Sequence, residues 1–133
     1  MSRHDFDPDD VVPDGRLATR SKLFDATAAG PWRGVVAGGT LGGPVTILAY
    51  GTDEIGAGPR WHVHPYDETF LVIEGRAKFF VGNTVVEVGA GEVVLGPMGL
   101  PHRFENLGPG RLQTIDIHHA TEWVQTDIDQ WSV

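Results

Sequence analysis

Turn residues cut this chain into short apolar pieces, and that punctuation limits the fold more than any other feature. Runs at 31–36, 45–50, 68–74, 76–81, 84–88, 92–95, 102–105 and 111–118 are separated by Gly-, Pro- or Asn-containing breaks. Among 133 residues, 18 are Gly and 9 are Pro, too many for long helices. Gly82-Asn83 between two apolar runs is a hairpin signal, because both residues accept the positive φ that a tight β-turn demands. Short strands recurring every 8 to 12 residues or so predict an all-β sandwich or barrel. The length suits one domain with a real core.

Some strands, such as 69–73, are apolar on both faces. One face would fill the interior and the other would meet a second sheet or another subunit, so a homodimer is expected. Residues 1–20 are polar, acidic and broken by Pro8, Pro13 and Gly15, which predicts a flexible arm ahead of a single barrel domain at 21–133. In the tail, 121–133, residues Val124, Ile128 and Trp131 fall at i, i+4 and i+7 and predict a short C-terminal helix.

The formal net charge is −8 with no basic stripe, which argues against nucleic acid and anionic membrane surfaces as partners. The first ten residues lack the apolar core of a secretory signal, and no apolar run approaches the roughly 20 residues that span a bilayer. A cytoplasmic location is the resulting expectation. With no cysteine, thiolate sites are excluded and any metal must rest on His and carboxylate.

Such residues are concentrated at 56–75. His62 and His64 are two apart, so in an extended chain their imidazoles share a face about 7 Å apart along the strand. Pro65, Tyr66 and Asp67 read as a bend that folds Glu68 back onto them. His102, after the rigid segment 97–101, is the candidate fourth ligand from a distant strand. Three neutral imidazoles and one carboxylate suit a divalent first-row ion (Fe, Mn, Ni, Zn or Cu), with two octahedral positions left for water or substrate.

These residues fall into two ordered motifs. Gly56, His62, His64, Glu68 and Gly75 form the first, at 56–75, and Gly91, Pro97, Gly99, His102 and Asn106 the second, at 91–106. In order and spacing both resemble the paired motifs of the cupin superfamily. The resemblance implies a double-stranded β-helix (the cupin or jelly-roll barrel) and metal ligation by His62, His64, Glu68 and His102. It does not name a reaction, because one fold hosts many chemistries.

Around that centre, strand parity puts Phe70 and Val72 on the face of Glu68, and Phe104 on that of His102, as candidate pocket-lining residues. His118 and His119 are expected at the surface of a strand end; the alternative places them behind the ligands, with Asp116 orienting an imidazole. Trp61, opposite in parity to His62, is expected to pack between sheets. No catalytic base can be named. A metal-dependent enzyme acting on a small anionic or chelating molecule is expected, with dioxygenase chemistry favoured. A redox-neutral isomerase or decarboxylase and a non-catalytic small-ligand sensor are the alternatives.

Overall fold

Each predicted apolar run becomes a strand, and the connections carry the chain back and forth between two sheets. The computed structural model describes residues 5–129. Its elements are β1 (Gly34–Val36), a one-turn helix α1 (Gly38–Leu41), β2 (Thr46–Thr52), β3 (His62–Val63), β4 (Glu68–Glu74), β5 (Arg76–Val81), β6 (Thr84–Gly89), β7 (Val93–Gly96), β8 (His102–Asn106), β9 (Leu112–His118) and β10 (Thr126–Asp127). One five-stranded sheet has the order β1-β2-β9-β4-β7 and the other β10-β3-β8-β5-β6, with every neighbouring pair antiparallel. After β2 the path changes sheet at every connection except the β5–β6 hairpin, which is the winding of a double-stranded β-helix.

Inward-facing residues set up a graded interior. Along β4, Glu68, Phe70 and Val72 are buried in turn, and along β8 the sequence is His102, Phe104, Asn106. Side-chain alternation therefore places the polar cluster at one end and the apolar core beside it. Phe70, Val72, Ala77, Phe79, Val81, Val88, Phe104 and Leu112 form that core. Phe79 lies against Phe104 at 4.9 Å between ring centroids, and each such ring contributes roughly 2–3 kcal/mol by burial.

The two outer faces differ. On the first sheet Ile47, Leu71, Ile115 and Ile117 share the outward side with Val93 and Leu95, which are 65% and 55% exposed. The second sheet turns an aromatic and cationic face outward: Arg103 lies over Phe80 at 4.1 Å and over Trp61 at 5.6 Å. Trp61 thus sits against Phe80 on an outer face rather than between the sheets.

From residue 5 to residue 20 the arm is exposed, with a 3-10 turn at Pro8–Asp10, and it touches the end of α1 through Arg16 Nη1 to the Gly42 carbonyl. The expected C-terminal helix is not formed over the described tail. Thr126 and Asp127 instead pair with Val63 and His62, and the Ile128 N–H donates to the Trp61 carbonyl. Val124, the first residue of the supposed helical stripe, has both backbone groups engaged by side chains, Tyr66 and His64, and the Ile128 N–H that would close a helical turn on its carbonyl is taken by Trp61. Trp131, the last of that stripe, and His4 lie outside the described residues. No described helix is long and apolar enough to cross a membrane.

Candidate metal centre

The bend at 65–67 does what its composition requires. β3 ends at Val63, and β4 begins at Glu68 in the opposite sheet. His62 is directly opposite His102 across the β3–β8 ladder. The ligand atoms of His62, His64, Glu68 and His102 lie within 4.8 Å of one another, and all four residues are buried. The sequence reading placed these four together; the structure brings them to one point.

Tautomers decide what that point can hold. His62 Nδ1 lies 2.6 Å from the Arg60 carbonyl, His64 Nδ1 2.7 Å from that of Val124, and His102 Nδ1 3.1 Å from that of Leu100. A carbonyl only accepts, so each Nδ1 carries the proton and each Nε2 is left with a lone pair. His64 Nε2 is 2.9 Å from Glu68 Oε1, yet it has no hydrogen-bond partner. His102 Nε2 is 3.2 Å from the same oxygen. Lone pairs facing a carboxylate in a buried site offer a cation a place between them. The donor set fits a divalent first-row ion, with backbone carbonyls orienting the imidazoles from behind.

Beyond these four, His118 belongs to the same assembly. It is buried, not at the surface, with Nε2 3.2 Å from Glu68 Oε2. The Tyr66 hydroxyl lies 2.7 Å from His118 Nδ1 and accepts the Val124 N–H at 3.0 Å. Having accepted there, the hydroxyl gives its proton to Nδ1, so His118 holds its own proton on Nε2 and donates it to Glu68. Tyr66, rather than Asp116, orients this imidazole. His119 is exposed and pairs with Thr69 Oγ1 at 2.9 Å. Strand parity counted back from His118 through Asp116 and Thr114 to Leu112 was the signal available for placing His118 inward.

Burial disfavours a charged His62 and lowers its pKa to about 4, with the Arg60 carbonyl only partly opposing. Burial alone would raise the Glu68 pKa, but the surrounding His102, His118 and His64 imidazoles, His118 donating directly, hold it well below the usual carboxylate range. Burial, and then the Glu68 charge, push Asp116 well above it. The sign for His62 follows directly. Between pH 6.5 and about 4 the unfolded chain binds a proton at His62 that the folded chain refuses, so stability falls as pH falls through that window. The His62 contribution to the loss should be on the order of 3 kcal/mol; the depressed Glu68 adds to it, and the raised Asp116 opposes both. Urea denaturation of metal-free Asp116→Asn protein, which lacks the opposing group, at pH 7 and pH 4.5 checks this; equal stabilities would contradict it.

A cavity of about 320 Å³ opens onto the cluster, lined by His62 and Glu68 together with Phe70, Phe104, Asp116 and Trp123. Phe70 and Phe104 line it, and Val72 is wholly buried in the core. Asn106, the last residue of the second motif, is a structural clip: its side chain reaches the Glu54 and Gly110 carbonyls and accepts the Gly108 N–H.

The model of the cupin domain matches residues 49–118, more than half of the chain and all four clustered residues. The chain belongs to the cupin family. Among curated proteins, an uncharacterized protein of Streptomyces coelicolor is 39% identical over 44 residues, which are 33% of this chain and 42% of that protein. The match thus spans less than half of the relative's length. Among solved structures, a double-stranded β-helix protein from Klebsiella pneumoniae superposes with a TM-score of 0.65 at 22% identity, covering 81% of this chain and 87% of that one. Bacillus subtilis oxalate decarboxylase, in a study of its Mn(II) centres, gives 0.70 at 21% identity, covering 90% of this cupin and 36% of the larger chain. At such identities these likenesses speak for the fold.

Proposed function

We propose that this cupin is a metal-dependent enzyme in which His62, His64, Glu68 and His102 hold one divalent first-row ion and a small anionic or chelating organic molecule binds beside it, with dioxygenase-type chemistry. The observation that carries the reading is the convergence of three buried, Nδ1-protonated imidazoles and a carboxylate, of which His62 and Glu68 line a cavity. When bound, such an ion supplies a Lewis-acid or redox centre for an oxygen-bearing ligand. The chain's own part is to fix the imidazoles from behind, to hold Glu68 ionised through His118, and to keep bulk water back with Phe70 and Phe104. The Mn(II) centres of the structurally similar Bacillus decarboxylase keep manganese among the candidate ions, beside Fe, Ni, Zn and Cu.

Oxygen uptake by Fe(II)-loaded protein over a panel of catechols, diketones and keto acids tests the reaction type. One class should consume oxygen in proportion to substrate lost. Turnover without oxygen uptake would move the reading to a redox-neutral isomerase or decarboxylase, and binding without turnover to a sensor.

The outward apolar face of the first sheet supports a homodimer, since exposed Val93 and Leu95 continue a surface of isoleucine and leucine. Sedimentation should give twice the chain mass for the wild type and a shift to monomer for Leu95→Glu. A monomeric wild type would end this part of the proposal.

A further inference from the structure

Outside the cluster and the relay behind it, one buried polar group of the cavity is unaccounted for. Asp116 is 5% exposed and lines the cavity, and its Oδ1 has no hydrogen-bond partner. None of the ion pairs among the described residues involves it. Asp116 is two residues from His118 on the inward face of β9, flanked by Phe70 on β4 and Leu48 on β2. Glu68 and His118 occupy the adjacent inward row, so Asp116 stands about 7 Å along the strand direction from the cluster. Its cross-strand neighbours Phe70 and Leu48 are apolar, Phe104 shares the cavity with it, and the Thr114 hydroxyl is the polar side chain beside it on β9. A carboxyl oxygen left unpaired among such walls is costly, typically by 1–3 kcal/mol, and native structures retain few such groups without a use. Packing gives no reason for it here, because Leu or Met would fill the position without that cost.

We propose that Asp116 is the recognition group for the part of the ligand remote from the cluster, accepting a hydrogen bond from its hydroxyl or amino group. The ligand class is thereby narrowed to a small, mostly apolar molecule with chelating oxygens at one end and a hydrogen-bond donor one inward row away. This inference rests on the reading of the cluster as a centre for chelating organic molecules. Hydrogen-bonding sites discriminate sharply against analogues that lack the donor, because the site's own group is then left unpaired.

The test uses the full chain loaded with Zn(II), which does not oxidise its ligands, and two probes: 4-(hydroxymethyl)catechol and 4-methylcatechol. Dissociation constants are measured by calorimetry for wild type, Asp116→Ala and Asp116→Asn, with zinc content determined for each. Wild type should prefer the hydroxymethyl probe by about 10- to 100-fold, the range for leaving a buried polar group without its partner. Asp116→Ala should bring the ratio to within about threefold of unity. Asp116→Asn keeps the side-chain volume and an acceptor oxygen, and should retain a preference above threefold; it is also the variant to read should the alanine protein not fold. A wild-type ratio near unity, or a preference that survives in Asp116→Ala, overturns the role of Asp116 alone. Failure of either catechol to bind wild type that still carries its zinc overturns the chelating-centre reading, and the assignment of Asp116 with it.

Discussion

His102→Ala should leave the protein unable to retain its metal. Wild type purified without chelators is expected to carry close to one first-row ion per chain, and the alanine variant less than about a tenth of that after desalting, since one of only four donors is gone. His102 is also the donor that joins the sheets at the site. It faces His62 across the β3–β8 ladder and lies 3.2 Å from Glu68 of the opposite sheet. Competition titration with a zinc chelator should show an affinity loss larger than the 10- to 100-fold typical of residues that only orient ligands. That smaller loss is the expectation for His118→Ala, which removes the donor to Glu68 Oε2 and leaves the four ligands in place. His119→Ala, on the exposed side, should change nothing measurable. Metal content near one in His102→Ala would sink the assignment, and equal losses in the His118 and His119 variants would sink the relay.

The contrast between neighbouring histidines shows what the sequence could and could not reveal. His62, His64, Glu68 and His102 were legible because i, i+2 spacing and a bend dictate direction locally, and because two spaced motifs fix the rest. Strand positions were legible for the same reason: turn glycines and prolines act within a few residues. β4 and β5 fall on the runs at 68–74 and 76–81. Parity along β9 could put His118 on the inward face, but its partners were not legible in this way. Its burial depends on Tyr66, 52 residues away, and on a tail that crosses the site. The tail itself misled through its periodicity. Val124 and Ile128 have helical spacing, but Val124 is 47% exposed, and its backbone serves His64 and Tyr66. Apolar spacing says nothing about which backbone groups will be claimed by distant side chains. Asp116 could be assigned to a face by parity; that its oxygen would be left without a partner is a property of the closed cavity alone.

The motif glycines make the same distinction quantitative, and Gly75→Ala should be among the most damaging single changes in the chain. Gly75 links β4 of one sheet to β5 of the other with φ of 84°. A side chain there costs about 1–2 kcal/mol from the left-handed backbone alone. An added Cβ would also lie 2.3 Å from the Arg111 carbonyl oxygen and 3.1 Å from its carbon, contacts that only backbone movement relieves. Little movement is available. Arg111 is tied to Glu74 through Nη2 at 2.8 Å, Leu112 behind it is fully buried, and the β4–β9 ladder already shifts register between Val72 and Glu74. Together these predict a loss of about 4 kcal/mol or more, or a fall in Tm on the order of 12–16 °C. Gly91 of the second motif has a similar φ, 89°, but nothing within 4 Å of its added Cβ. Gly91→Ala should therefore cost only the backbone term, about 1–2 kcal/mol. Thermal and urea denaturation of the two variants separate these cases. Equal losses would mean that the Gly75–Arg111 approach is not a constraint, and that both glycines are needed for the turn conformation alone.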